Sequence, residues 1–163
     1  MSDKSPVEVA IAILPHEGKF LMQLRDNIPT ILYPGLWGLF GGHIEVGETP
    51  EIAVEREIIE EIGYQITNPH KFGCYNDDRV IRHVFYAPLT VSIDKLVLTE
   101  GWDLGLISPA QIEAGFAYSA IAGEERPLGV VHQQIMVDFM EWWGNSWQLT
   151  VDSWQLTVDG VSH

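Results

Sequence analysis

The stretch Gly42–Tyr64, GHIEVGETPEIAVEREIIEEIGY, constrains this chain more than any other. It reads as a glycine turn followed by an acidic helix that closes on a second glycine. Thr49 is placed to cap the helix, Pro50 suits the first helical position, and Glu51 meets the positive end of the helix dipole. Gly63 suits a left-handed C-terminal cap. At about 100° per residue, Ile52, Val54, Ile58, Ile59 and Ile62 share one arc. Glu57, Glu60 and Glu61 share the opposite arc, with Ala53 among them. The expectation is a helix that buries isoleucines and presents three carboxylates together. Like charges at these spacings repel, so the face is locally unfavourable. A divalent cation would reverse the sign of that interaction, and Mg²⁺ or Mn²⁺ suits a set of hard oxygen donors. A solvated acidic face is the alternative reading of the same residues.

The stretch also fits a longer pattern, G-x5-E-x7-R-E-U-x-E-E-x-G-U, with U aliphatic. Gly42, Glu48, Arg56, Glu57, Ile58, Glu60, Glu61 and Gly63 are all in register, and Tyr64 replaces the last U. At ordinary residue frequencies such a match arises by chance on the order of once in a million chains. On these residues the chain resembles the Nudix hydrolases, over most of Val7 to Trp143. The resemblance implies an α/β fold of the α+β kind: a mixed sheet between helices, with the box as loop, helix, loop. It implies metal-dependent hydrolysis of a nucleoside diphosphate linked to another group, by attack of water on phosphorus. Glu57, Glu60 and Glu61 would then hold Mg²⁺ (or Mn²⁺), and Arg56 would pair with Glu48 to shape the loop. Gly42 would supply a turn whose amide fixes a ligand carboxylate, and Gly63 would close the helix. The general base is either a box glutamate or a later acid, with Glu100 ahead of Asp77, Asp78 and Asp103.

Length and charge narrow the partners. At 163 residues the chain is long enough for a substantial core, and it divides into a domain at 1–145 and a tail at 146–163. A net charge of −14 argues against a nucleic-acid backbone and suits cation binding. With Cys74 as the one cysteine, no intramolecular disulfide forms. Val7–Leu14 is too short, and too soon broken by Pro15, for a signal or membrane segment. A cytoplasmic protein acting on a small nucleotide-type molecule is expected, with a homodimer compatible with this reading.

Along the chain, strands are expected at Val7–Leu14, Lys19–Arg25, within Gln65–Asp78, at Val80–Ala87 and at Lys95–Leu98. Asp26–Gly35 and Phe116–Pro127 read as loops, while Ser108–Glu113 and Leu128–Trp143 read as helices. Val131, Ile135, Phe139 and Trp142 form the apolar stripe of the last helix. The tail carries SWQLTVD twice, at Ser146–Asp152 and Ser153–Asp159. A seven-residue repeat puts the second Trp on the opposite face of a continuous strand, so a hairpin or one ordered copy fits better.

Substrate contacts are assigned to Arg25 and Arg82 through phosphate, and to Trp37 or Phe40 through base stacking, with core packing as the alternative for the aromatics. His43 and His83 read as satisfied structural histidines. Two other functions share the fold: a non-catalytic nucleotide sensor, and an isopentenyl-diphosphate isomerase-like enzyme. The first commonly loses box glutamates; the second needs an active-site cysteine earlier than Cys74. Markers of ADP-ribose, diadenosine-polyphosphate and coenzyme A substrates are missing. Nucleoside triphosphates, oxidised ones included, remain by elimination, followed by nucleotide sugars.

Overall fold

The computed structural model describes residues 5–146. The organising strand is β1 (Val7–Ile13), whose near-continuous apolar run is buried on both faces. It pairs in parallel with β7 (Val80–Tyr86) and antiparallel with β5 (Phe40–His43), and β6 (His70–Asn76) closes the far side of β7. A second sheet has β3 (Lys19–Leu24) at its centre. It pairs with β2 (Pro15–His16), β4 (Trp37–Gly38) and β8 (Asp103–Ile107).

Strand alternation divides the core in two. Ala10, Ala12, Leu14 and Leu21 pack with Phe40 and Phe85 beneath helix α1 (Pro50–Ile62). Ile11, Ile13, Phe20, Met22 and Leu24 pack on the other side with Ile135, Met136 and Phe139 of helix α3 (Val130–Ser146). The result is the mixed sheet between helices that the resemblance implies. The short helix α2 (Pro109–Ala114) has a reciprocal capping box between Ser108 and Gln111. Among the described residues no helix is long and apolar enough to cross a membrane. Apart from Ser146, the duplicated segment lies outside the described residues.

Two local expectations are corrected. Lys95–Leu98 is not a strand. A 3₁₀ turn at Ile93–Lys95 leads into extended chain whose amides bond to the end of α1, Val97 to the Ile62 carbonyl (3.2 Å) and Thr99 to that of Glu61 (3.1 Å). These carbonyls lack helical partners, and the extended chain supplies them. Phe116–Pro127 is a hairpin rather than a loop: β9 (Phe116–Ser119) pairs with β10 (Glu124–Pro127) around Gly123, whose φ is +73°. Only Ala117 and Ser119 of β9 are buried, so its apolar pattern is too brief to read in sequence. The run containing Trp102 also supplies a full strand, β8.

The largest correction is the roll of α1. Its caps are as the sequence suggests: Thr49 Oγ1 accepts the Ile52 amide, and Gly63 is left-handed at φ +69°. The buried residues, however, are Ala53, Val54, Ile58 and Ile62. Ile52 and Ile59 are 53% and 45% exposed. The inward face is therefore rolled by roughly a quarter turn from the isoleucine arc, toward Glu57 and Glu61. Ala53 is fully buried on that edge. Its small side chain lets the helix approach β5 closely along that edge.

A pair of truncations tests this roll. Ile58→Ala should cost about 2–5 kcal/mol in urea denaturation, the usual range for emptying a buried aliphatic site. Ile59→Ala should stay within about 0.5 kcal/mol. Equal losses at the two sites would refute the orientation.

Candidate active site

The roll of α1 turns two carboxylates toward the β5 backbone. Glu61 Oε1 accepts the Gly41 amide at 2.9 Å. Glu57 lies against Gly42, where an added Cβ would come 2.5 Å from its carboxyl carbon. Gly42 is thus needed for the space it leaves, and the amide that fixes a carboxylate belongs to Gly41. Gly41 is itself obligatory: its φ is +146°, and a Cβ there would lie 2.1 Å from the Ala10 carbonyl oxygen. Glu60 turns outward and is 58% exposed at its side chain.

Arg56 ties loop to helix. Its Nε donates to Glu48 Oε2 (2.5 Å) and its Nη2 to Glu48 Oε1 (2.9 Å), a bidentate pair. Nη2 also donates to the His43 carbonyl (3.0 Å), while Nη1 reaches Glu57 (3.1 Å) and Glu60 (3.2 Å). Glu48 accepts the Glu45 amide as well. The Arg56 guanidinium and this amide hold the Glu48 carboxyl down at about 2, and Glu48 in turn raises Arg56.

Glu57 and Glu61 go the other way. Burial raises both. Glu61 reaches about 8: burial is the main cause, the charges of Glu57 and Glu100 add to it, and the Gly41 amide and Arg25 offset only part of the rise. Two half-buried carboxylates side by side are disfavoured as anions, which is the electrostatic condition a cation relieves. Among the described residues no group of three or more His, Cys, Asp or Glu is already gathered to hold a metal ion. An oxygen-only pair with a third carboxylate beside it still fits Mg²⁺, which characteristically takes one or two carboxylates and completes its shell with water and substrate phosphate.

Glu100 is exposed, yet close enough to raise Glu61. Its neighbour Thr99 holds it there by donating its hydroxyl to the Glu60 and Glu61 carbonyls. Two of the other acids, Asp77 and Asp103, are occupied. Asp77 caps the β6–β7 turn through the Arg79 and Val80 amides, and Asp103 accepts the Ser119 hydroxyl.

Next to the carboxylates is a cleft of about 190 Å³. Gln23, Arg25, Tyr33, Trp37, Arg82 and His132 are among its lining residues. Arg25 lines the cleft, and its charge lowers the pKa of both Glu61 and His132. Its Nε is held by the Leu32 carbonyl. Trp37 lines the cleft but is 1% exposed, with its indole N–H bonded to the Ala117 carbonyl. Phe40 is buried beneath α1, which settles its packing role. His43 is exposed beside Glu57. His83 bonds Glu8 through Nε2 (2.8 Å), but its Nδ1 is buried without a partner among the described residues, so it is not fully satisfied. Cys74 is exposed on β6 and is not part of the cleft lining.

His132 escapes a reading of the sequence. It sits among the apolar residues of α3, and its Nδ1 accepts the amide of Leu39, 93 residues earlier. No short-range spacing signals that contact.

The NUDIX domain model matches residues 4–116. An 8-oxo-dGTP diphosphatase of Proteus vulgaris is 32% identical over 104 residues, covering 61% of this chain and 88% of that protein. Nucleoside triphosphatase NudI of Salmonella arizonae is 37% identical over 59 residues, covering 36% of this chain and 40% of that protein. A Bacillus subtilis relative, 30% identical over 104 residues, is matched over 66% of its length. In fold, the crystal structure of a MutT NUDIX hydrolase from Burkholderia pseudomallei superposes with a TM-score of 0.61 at 22% identity, over 79% of this chain and 94% of that one.

Two outcomes follow from the geometry. Gly42→Ala should displace the Glu57 carboxylate and lower turnover by about tenfold or more, since ångström-scale misplacement has effects of that order. Its melting temperature should stay near the parent's, because the obstructed atoms end a flexible side chain. The second concerns pH without metal. A carboxyl whose folded pKa is raised contributes stability that is fully present below its ordinary value of 4.5 and is lost as pH rises through about 8. In EDTA the chain should lose stability across that window, and Glu61→Gln should reduce the loss. Denaturant midpoints from pH 4 to 9 read it directly.

Proposed function

This chain belongs to the NUDIX family, and on that premise we propose that it hydrolyses a phosphoanhydride bond of nucleoside triphosphates, oxidised ones included. The observation that carries the reading is the junction of an inward carboxylate pair, Glu57 and Glu61, with a cleft lined by Arg25 and Arg82. One side of that junction is suited to cations and the other to the anionic or acceptor-rich parts of a nucleotide. The names of the Proteus and Salmonella relatives, both acting on nucleoside triphosphates, support the same substrate class.

In this reading Glu57, Glu60 and Glu61 hold Mg²⁺ or Mn²⁺, which when bound neutralises the phosphates and makes water a better nucleophile. Gly41 fixes Glu61 through its amide, and Gly42 leaves room for Glu57. Arg56 restrains Glu57 and Glu60 while anchoring the loop through Glu48. Arg25 lines the cleft, where it can meet phosphate. Glu100 accepts the proton of the attacking water, helped by its position against Glu61. Burial raises Glu61 in the metal-free chain, so cation binding must also drive its ionisation.

A panel of nucleoside triphosphates with Mg²⁺ or Mn²⁺, read by released pyrophosphate or phosphate, tests the activity. Glu57→Gln and Glu61→Gln should each lower turnover by about 10²-fold or more while the protein remains folded. EDTA should abolish the reaction. Turnover that survives EDTA, or near-parental rates in both variants, would remove the metal mechanism.

A second test addresses the anchor. Arg56→Ala should lower both the melting temperature and turnover. Combined with Glu48→Ala, the damage should be less than the sum of the single effects, because the two side chains share a bidentate contact. Strict additivity in this double-mutant cycle would show them uncoupled.

A further inference from the structure

Tyr64 is where the box departs from its pattern, and the hydrolysis leaves it without a role. Its ring packs at the margin of the core beneath α1, a place that an aliphatic side chain would fill as well. The hydroxyl is what an aliphatic residue lacks, and here it is fully engaged. It donates to the Pro88 carbonyl (3.1 Å), accepts the Thr90 amide (3.0 Å) and meets Thr90 Oγ1 at 3.0 Å. The phenol proton and the oxygen lone pairs are both in use.

The effect reaches the site through the chain that follows. Tyr64 comes directly after the Gly63 cap, so it is fixed to the C-terminal end of α1. Beyond Thr90 the chain packs Val91, Ile93, Leu96 and Leu98 against the same core and returns to the same helix end. There the Val97 amide donates to the Ile62 carbonyl (3.2 Å) and the Thr99 amide to that of Glu61 (3.1 Å), and the Thr99 hydroxyl also reaches the Glu60 carbonyl (2.9 Å). Residues 90–99 are thus a strap fastened to the end of α1 at both its ends. Glu100 is the next residue, and Trp102 beyond it is tied to the Leu24 carbonyl (2.8 Å). Fastening one end of a chain segment lowers the entropic cost of fastening the other.

We propose that Tyr64 is a positioning residue for the hydrolysis: its hydroxyl fastens the start of the strap to α1, and the strap sets Glu100 beside the carboxylates. This rests on the reading of Glu100 as the acceptor of the water proton.

Tyr64→Phe removes the hydroxyl and keeps the ring. Leu89 stays held by the Pro15 carbonyl (2.8 Å), so β7 should keep its place. Amide hydrogen exchange on the metal-free chain should be faster by about tenfold at Thr90, Val97 and Thr99 in this variant, the scale of one lost hydrogen bond, and unchanged in β1. With Mg²⁺, kcat should fall about tenfold while KM stays within about twofold, because the group displaced acts on water and not on substrate. Tyr64→Leu, of the residue type usual at this position, should behave as Tyr64→Phe does. In a Glu100→Gln background Tyr64→Phe should leave kcat unchanged, since the group to be positioned is gone. Unchanged exchange at Val97 and Thr99 overturns the proposal, as does an unchanged kcat, a loss confined to KM, or an equal fall of kcat in the parent and Glu100→Gln backgrounds. A Tyr64→Phe chain that does not fold also overturns it, because the hydroxyl would then support the core. If the parent hydrolyses no triphosphate, the proposed activity falls, and exchange at Thr99 alone decides whether Tyr64 governs the strap.

Discussion

One guanidinium holds the carboxylate region together. Arg56 lies among Glu48, Glu57, Glu60 and the His43 carbonyl, and it is the cation that lets so many acids share one turn of helix. Its effect is uneven. Glu48, gripped by two nitrogens, is held strongly ionised, whereas Glu57 remains raised because burial outweighs the single contact. Glu61 lies outside the grip and has the Gly41 amide as its hydrogen-bond donor. Loop and helix are thus stapled firmly while the innermost carboxylate stays electrostatically unsatisfied. A structure optimised for stability would not leave it so; a cation site would.

The sheet makes this arrangement possible. β5 approaches β1 with paired glycines, and Gly41 has no room for a side chain against the Ala10 carbonyl. Because β5 is so thin there, α1 can lie close enough for Glu57 and Glu61 to touch its backbone. Val54, Ile58 and Ile62 fix the helix from below in the same core as Phe40 and Phe85. The Thr99 bonds to the α1 carbonyls then bring Glu100 to the same end of the helix. Packing and chemistry share one set of contacts, so the roll of α1 affects both.

In the neighbouring cleft the demands reverse. The cleft around Arg82 and His132 is donor-rich and its walls are supplied by β3, β4, β7 and the start of α3. These elements come from both sheets and from the second core, in which Trp37 is locked by Ala117. A nucleotide spanning both regions would meet carboxylates at one end and cationic or N–H groups at the other. This polarity would set its direction of binding.

The sequence alone determined what depends on near neighbours and on composition. Thr49, Pro50 and Gly63 set the ends of α1, the apolar run of β1 announced a strand buried on both faces, and the box residues in register identified the family. Tertiary structure decided the rest. It chose which face of α1 is inward, because Ala53 and Glu57 can approach a glycine-lined strand and the larger Ile52 and Ile59 are left outside. It made β8 by pairing Asp103–Ile107 antiparallel with β3. It gave His132 a fixed tautomer through an amide 93 residues away, and Trp37 its place through a carbonyl 80 residues away. The physical reason is the reach of the interactions. Caps and periodicity act within a turn or two of chain, whereas burial, charge and hydrogen bonding act on whatever the fold brings within a few ångströms.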